Sequence, residues 1–350
     1  MVEKTVLGVM SGTSLDGVDL AMLHFERKEV WKYSILATTT LAYPEEWVSR
    51  LRHAVDLSKQ DLAVLDRDYT LYLAKIIQGF LAQQPQLPDF VSSHGHTVLH
   101  QPEKGITYQI GNLPSLAEVT GQKVICNFRV ADVALGGQGA PLVPGGEVHL
   151  FSQYSACVNL GGFANITLLN NTSVVAFDIC PVNIVMNALV QPLGLAYDAN
   201  GELASSGQMI SELLDQFNQL DFYKTTFPKS LGVEWVKAQV NPLLRQYENR
   251  STADILHTFC YHIAHQIAQL LPENGPVLFT GGGCYNSFLI NLIKDHARVE
   301  IVLPSKDLIE YKEAMIFGFL GVLKELNQNN CLASVTGAQF DHVSGEIFLP

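Results

Sequence analysis

One pattern occurs twice in this chain and limits what it can fold into. The runs KTVLGVM (4–10) and VDLAMLHFER (18–27) are rich in β-branched and apolar residues and flank SGTSLDG, a polar loop containing glycine. VWKYSILATTTLAY (30–43) adds a third strand after a short turn. The same order returns in ACVNLGGFANITLLN (156–170), which reads strand, Gly-Gly loop, strand, with VVAFD (174–178) as the third strand. The copies agree in pattern rather than in letters and lie roughly 150 residues apart. Helical periodicity separates them: Leu62, Leu65, Tyr69, Leu73, Ile76, Ile77 and Phe80 fall at three- and four-residue steps. Ile255, Phe259, Ile263 and Ile267 share one face of TADILHTFCYHIAHQIAQLL (252–271) in the same way. FVSSHG (90–95), QKVICNF (122–128) and the start of GPVLFTGGGCYNS read as further strands. Strands alternating with long helices in both halves predict an α/β protein with two similar lobes. ALGGQGAPLVPGGE, with five glycines and two prolines in fourteen residues, predicts a domain boundary or hinge.

A chain of 350 residues with 47% hydrophobic and 16% charged side chains can bury two substantial cores. Its net charge of −12 argues against nucleic-acid binding, which calls for clustered Lys and Arg. An anionic ligand stays open, because backbone N–H groups and a metal ion can hold phosphate on an acidic protein. The opening MVEKTVLGVM has too short an apolar run for a signal peptide, and no apolar run approaches the roughly 20 residues of a membrane span. The six cysteines are scattered without a CxxC pair and read as reduced and packed. The expectation is a cytoplasmic protein with no membrane partner.

Several segments could carry chemistry. In SGTSLDGVD (11–19) the glycines would let N–H groups approach an anion, Ser11, Thr13 and Ser14 would add hydroxyls, and Asp16 and Asp19 could hold hydrated Mg²⁺. The plain alternative is a turn rich in turn formers. FTGGGCYNS places Gly281, Gly282 and Gly283 between a strand and a helix start, with Asn286 or Ser287 as caps. It matches neither GxGxxG nor GxxxxGK[ST], so the usual dinucleotide and P-loop readings fail. His94 and His96, with His100 near, offer an HxH pair that could ligate zinc if further ligands existed; a polar substrate contact by His94 or a satisfied histidine is the competing reading. Arg129 and Asp132 flank the glycine-rich segment, either as a salt bridge or with Arg129 meeting an anionic substrate. Glu313 heads the apolar helix of YKEAMIFGFLG (311–321), where an acidic residue is favourable in any case. Asp178 stands where a strand gives way to a helix, in AFDICPVNIVMN, as a cap or a base.

Taken together these pieces resemble the anhydro-N-acetylmuramic acid kinases, sugar kinases of the actin-like ATPase superfamily. The resemblance runs through GVMSGTSLDGVD (8–19), His94-Gly95 with Thr97, His100 and Pro102, and ALGGQGAPLVP with Phe128, Arg129 and Asp132 before it. It continues through Asn159, Gly161, Gly162, Ala164 and Asn165, the Asp178 segment, PKS-G (228–232), GGG--N (281–286), EA--FG-L (313–320) and SVTGA (334–338). It implies two ribonuclease H-like lobes with an interlobe cleft, the first lobe being residues 1–128 plus 331–350 and the second 129–330. ATP, with Mg²⁺, would lie along Ser11, Gly12, Thr13, Ser14, Leu15, Asp16, Gly17, Val18 and Asp19 and along Gly161-Gly162, with Gly281 to Gly283 toward the adenosine. The amino-sugar substrate would meet His94, Thr97, Arg129, Asn183 and Glu313. Asp178 would act as general base on the water that opens the 1,6-anhydro bridge, and the freed 6-oxygen would take the γ-phosphoryl group. The product would be N-acetylmuramic acid 6-phosphate, formed in peptidoglycan recycling; a homodimer is compatible with this reading.

One segment departs from the pattern. The family reads D-T-G-P-G-N with an Asp a few residues later; this chain reads Asp178-Ile179-Cys180-Pro181-Val182-Asn183, with Asn187 at the later position. If either glycine position needed positive φ, Val182 would be strained by about 1–3 kcal/mol, and its side chain would intrude where a phosphate must lie against backbone. Since Asp178, Pro181 and Asn183 are all present, the expectation is a working base in an altered loop. The competing expectation is a catalytically impaired relative that senses nucleotide or amino sugar by lobe closure.

Overall fold

A computed structural model describes residues 1–12, 15–169 and 173–350. Thr13 and Ser14, two of the expected phosphate-loop residues, lie outside the described residues. The chain divides into two units, Met1–Leu150 with Tyr311–Pro350, and Phe151–Glu310.

In the first unit Val2–Ser11 (β1), Gly17–Arg27 (β2) and Trp31–Ala42 (β3) form an antiparallel meander, with Val2 opposite Arg27 and Ser11 opposite Val18. Phe90–Ser93 (β4) lies parallel to β1. His96–Gln101 (β5) and Ile106–Ile110 (β6) make a separate antiparallel ribbon. Val124–Cys126 (β7) runs parallel to β4, and the C-terminal strand Glu346–Phe348 closes that edge antiparallel to β7. From Val6 to Ser11 every residue of β1 is buried, because helices and neighbouring strands cover both of its faces. β3, at the opposite edge, alternates instead between covered and open positions.

Two helices build this unit's core. Lys59–Leu81 is capped by Ser58, whose Oγ accepts the Asp61 N–H at 3.2 Å, and it buries Leu62, Leu65, Tyr69, Leu73, Ile77 and Phe80 as the periodicity predicts. Lys306–Glu325 carries Ala314, Phe317 and Leu320 against the sheet. Its approach to β1 and β4 is close: Ser92 Oγ donates to the Phe317 carbonyl at 2.6 Å, and Gly8 faces the Ala314 carbonyl. These contacts correct two expectations. Tyr311 to Leu326 belong with the first sheet, not with the second lobe. Residues 129–150 do too, because the buried Glu147 pairs with the buried Lys312 at 2.8 Å and Asp132 accepts the Thr336 hydroxyl at 2.7 Å. The chain therefore leaves the first unit after Leu150 and returns at Tyr311. Glu313 is also not at a helix head, because the helix starts at Lys306, where the Ser305 carbonyl already accepts the Ile309 N–H.

The second unit repeats the plan. Ala156–Leu160 (β8), Phe163–Leu169 (β9) and Val174–Pro181 (β10) form the meander, Val277–Thr280 (β11) runs parallel to β8, and Ile301–Val302 (β12) runs parallel to β11. The order β10-β9-β8-β11-β12 matches β3-β2-β1-β4-β7, strand for strand and sense for sense. This is the ribonuclease H-like lobe of the actin-like ATPase fold, present twice. Helix Thr252–Ala268, capped by Ser251, supplies Ile255, Phe259, Ile263 and Ile267 to the core.

Two glycines separate packing from propensity. A Cβ at Gly8 would stand 2.1 Å from the Ala314 carbonyl oxygen, whereas one at Gly79, inside helix Lys59–Leu81, would meet nothing within 4 Å. Gly8→Ala is expected to destabilise the protein by about 1–3 kcal/mol through overpacking, and Gly79→Ala to stabilise it by roughly 0.5–1 kcal/mol through helix propensity. Denaturant unfolding of the two variants beside the wild type reads both signs.

Candidate active site

Asp178 sits within β10, which continues to Pro181, and not at the strand's last residue. The pairing with β9 shifts between Asp178 and Cys180, so Ile179 is an extra residue and the strand bends there. The segment 228–232 grips the aspartate twice: the Asp178 N–H donates to the Lys229 carbonyl at 3.1 Å, and the Leu231 N–H donates to Asp178 Oδ2 at 2.8 Å. Burial raises the Asp178 pKa, and the Leu231 N–H opposes that shift. The side chain remains half-buried, open enough for water to reach it. Lys229, whose carbonyl is half of the grip, turns its ammonium to the Phe222 and Thr225 carbonyls and not to the carboxylate. The PKS-G motif thus acts on Asp178 through its backbone, which explains why side-chain chemistry alone does not reveal it.

Three of the residues that depart from the family pattern are packed inward, and the fourth, Asn187, lines the cavity described below. Ile179, Cys180 and Val182 are each fully buried in the core of the second unit. Val182 has φ −129° and ψ −100°, so the strain expected of a positive φ does not arise. Nor does its side chain stand in the loop; its N–H donates to the Gly162 carbonyl at 2.8 Å while the isopropyl group packs inward. Helix Asn183–Val190 follows at once, with the Asn183 and Ile184 N–H groups donating to the Gly161 and Gly162 carbonyls and Asn183 Nδ2 donating to the Leu160 carbonyl at 3.2 Å. The Gly161-Gly162 turn therefore serves as the cap of that helix.

Gly281 and Gly283 are required by close approach to the same turn. Gly281 has φ +85°, and a Cβ there would lie 2.7 Å from Asn159 Oδ1; one at Gly283 would lie 2.7 Å from Leu160 Cβ. Gly282 faces solvent instead, and a Cβ there would meet nothing nearer than Asn183 Nδ2 at 3.9 Å. Asn286 caps the following helix Ser287–His296, its Oδ1 accepting the Leu289 N–H at 2.9 Å. Gly282, Asn183, Asn187, Tyr197, Asn200, Tyr285 and Asn286 contribute to the lining of a cavity of about 540 Å³ within this unit. Its amides and phenol rings, without a Lys or Arg, suit a neutral heterocycle and sugar hydroxyls better than a phosphate. Sequence reading did not single out Tyr197 or Asn200; they lie in a loop with no motif to mark them.

In the first unit Ser11 is the last residue of β1 and is buried. Its Oγ bonds the Tyr43 hydroxyl at 2.6 Å, the Tyr69 hydroxyl at 2.7 Å and His96 Nδ1 at 3.2 Å. Ser11 therefore anchors the loop from below rather than offering a hydroxyl at its surface. Gly17, Val18 and Asp19 belong to β2, with Val18 in the core, which leaves Gly12, Leu15 and Asp16 outside the strands. Leu15 adopts φ +61°, unfavourable for its side chain, and is held there by packing against the core. Asp16 is exposed, and Asp19 is half-buried with Oδ1 accepting the Thr40 hydroxyl at 2.6 Å. Two carboxylates beside a glycine-containing loop are a donor set that fits a hydrated Mg²⁺.

His94, Arg129 and Glu313 are brought together in this unit. His94 Nδ1 bonds the Gly95 carbonyl at 2.7 Å, and its Nε2 accepts from Arg129 Nη2 at 3.0 Å. Burial, then the Arg129 charge, holds His94 well below the usual histidine range, so the ring is neutral. Gln109, with no motif to signal it, ties the group: its Nε2 donates to the His94 carbonyl at 2.8 Å and lies 3.3 Å from Thr97 Oγ1. The zinc reading of the His94 and His96 pair fails at His94, whose Nε2 lone pair is taken by the Arg129 guanidinium and whose Nδ1 bonds the Gly95 carbonyl. His100 bonds Thr107 on the exposed ribbon. Arg129 turns to His94 rather than to Asp132, and burial pushes its pKa down to about 10 with Glu313 opposing, which leaves it charged at neutral pH. Desolvation raises the Glu313 pKa and the Lys312 and Arg129 charges oppose that, while the side chain stays accessible to water.

Because Val182 fills core and not the loop, Val182→Ala is expected to lower stability by about 1–3 kcal/mol while leaving nucleotide affinity unchanged. Calorimetric titration with nucleotide beside thermal unfolding separates the two effects.

Comparison with known proteins identifies the family of this chain. The family model for anhydro-N-acetylmuramic acid kinase matches residues 4–350. The anhydro-N-acetylmuramic acid kinase of Bacillus cereus (strain 03BB102) is 34% identical over 380 residues, covering 99% of this chain and 99% of that protein. The enzyme of the same name from Bacillus thuringiensis (strain Al Hakam) is also 34% identical, covering 99% and 98%. Among solved structures, a ligand-bound xylulose kinase from Lactobacillus acidophilus is similar with a TM-score of 0.46 and 12% identity, covering 99% of this chain and 94% of that one. The activator of 2-hydroxyisocaproyl-CoA dehydratase from Clostridium difficile, with bound ADPNP, gives 0.43 and 13%, covering 92% and 97%. None of the helices among the described residues is long and apolar enough to cross a membrane. On the full-length match and the level of identity, this chain belongs to the anhydro-N-acetylmuramic acid kinase family and is a kinase that uses ATP on a small-molecule sugar.

Proposed function

We propose that the protein opens 1,6-anhydro-N-acetylmuramic acid with water and phosphorylates its 6-oxygen, giving N-acetylmuramic acid 6-phosphate for peptidoglycan recycling in the cytoplasm. The observation that carries the reading is the setting of Asp178. One carboxylate oxygen is fixed by the Leu231 N–H, which leaves Oδ1 to take a proton from water. Partial burial raises its pKa toward the working range, so its conjugate acid is not formed at prohibitive expense. Water activated there attacks the anomeric carbon, the C1–O6 bond breaks, and the 6-oxygen leaves as the nucleophile for phosphoryl transfer. ATP as its magnesium complex supplies the γ-phosphoryl group.

The remaining residues bind and orient. Asp16 and Asp19 would hold the hydrated metal, Gly12, Gly161 and Gly162 would face phosphate, and Gly282 would line the nucleoside cavity. Arg129, kept charged and aimed by His94, suits the lactyl carboxylate of the sugar, while Glu313, Thr97 and Asn183 suit its hydroxyl and amide groups. The sensor reading rested on a crowded 179–182 loop, and the inward packing of Ile179, Cys180 and Val182 removes that ground.

Mass analysis of the product tests the reaction. Incubation with ATP, Mg²⁺ and the anhydro sugar should give a product heavier than the substrate by one water and one phosphoryl group. A product heavier by the phosphoryl group alone, or ATP hydrolysis without sugar product, would overturn the proposal. The acid limb of kcat/KM should also lie above the ordinary carboxylate range, activity falling as pH drops through the raised pKa of Asp178.

A further inference from the structure

Away from these residues, three unlike donors converge inside the first unit. Asp132, Cys331 and His342 each offer a ligand atom, all within 4.8 Å of one another, and all three residues are buried; among the described residues no other such group occurs. We propose that Asp132, Cys331 and His342 form a zinc site that ties the C-terminal segment to the loop 132–139.

His342 gives the independent sign of a ligand. Its Nδ1 lies 3.1 Å from the Phe340 carbonyl, an acceptor only, so Nδ1 carries the proton and Nε2 presents a lone pair. That Nε2 is buried without a hydrogen-bond partner and faces Asp132 Oδ1 at 3.6 Å. Two acceptors aimed at each other in the interior repel unless a proton or a metal ion stands between them, and the Cys331 sulfur, a third donor within 4.8 Å, favours the metal. The spacing fits one: ligands about 2.0–2.3 Å from a tetrahedral zinc are separated by roughly 3.4–3.7 Å. One sulfur, one imidazole and one carboxylate make a borderline donor set, suited to Zn²⁺ rather than to the Mg²⁺ that the kinase reaction uses.

The carboxylate is already oriented by a second layer. Thr336 Oγ1 donates to Asp132 Oδ1, and the Gly139 N–H donates to Oδ2 at 2.7 Å. The loop wraps so closely that a Cβ at Gly137 would stand 2.2 Å from Oδ2. The other two donors are paired by backbone, since Cys331 and His342 form an antiparallel bridge. Metal binding displaces the thiol proton to solvent and leaves a water for the fourth position. Zinc would then fix the segment 331–342 to the loop that follows Arg129 without touching substrate.

Cobalt titration of the reduced, chelator-stripped full chain tests this. The expected result is stoichiometric Co²⁺ binding with a thiolate-to-cobalt charge-transfer band and tetrahedral visible bands, reversed by Zn²⁺ and lost in Cys331→Ser. No band at cobalt excess, or bound cobalt without a thiolate band, would overturn the proposal; the latter includes any site at His94 and His96. Should Cys331→Ser fail to fold, X-ray absorption on the zinc-loaded wild type decides, with one sulfur among nitrogen and oxygen neighbours expected and a shell without sulfur contradicting it. None of these readouts depends on sugar phosphorylation.

Discussion

The carbonyls of Gly161 and Gly162 hold the second unit's chemistry in place. They accept the N–H groups of Val182, Asn183 and Ile184, which fixes where β10 ends and where the next helix begins. Gly281 and Gly283 pack against the same turn through Asn159 and Leu160, where a Cβ on either would clash. Once that junction is set, the bulge at Ile179 decides the rest. It turns Asp178 out toward water while Ile179, Cys180 and Val182 go into the core.

This arrangement explains how a sequence can lose two glycines and a threonine of its family's pattern and keep the geometry of the base. Neither position 180 nor position 182 has the positive φ at which a glycine is hard to replace. Replacing hydrogen by thiomethyl and isopropyl groups there adds buried apolar surface, of order 1.5–3 kcal/mol for a whole valine-sized side chain. The glycines that are under steric demand, at 281 and 283, are retained. The orientation of Asp178 meanwhile depends on backbone atoms of Lys229 and Leu231, which substitutions within 179–182 do not remove.

Much of the fold was legible in the sequence. The twofold meander, the periodicity of helices 59–81 and 252–268, and the strand running into Gly281 each rest on local pattern, and local pattern survives folding. What was not legible depends on tertiary contact. The boundary at Leu150 and Tyr311 is set by Gly8 against Ala314 and by Lys312 with Glu147, pairs far apart in the chain. Ser11 reads as a phosphate donor in a loop of small residues, and only Tyr43, Tyr69 and His96 show that its hydroxyl faces inward. Gln109 and Tyr197 stand in segments without a motif, so their places beside His94 and in the cavity lined by Gly282 follow from topology alone.

The account's central claim is that Asp178, held by the 228–232 segment, is the base in a working active site. The most direct test compares wild type with Asp178→Asn in a single-turnover assay with ATP, Mg²⁺ and the anhydro sugar, after both have been shown to bind nucleotide equally. The account predicts phosphorylated sugar from the wild type and a loss of at least ~100-fold in the chemical step for the variant, with binding intact. Equal turnover by the two proteins would contradict it, as would bound nucleotide and no sugar product from the wild type.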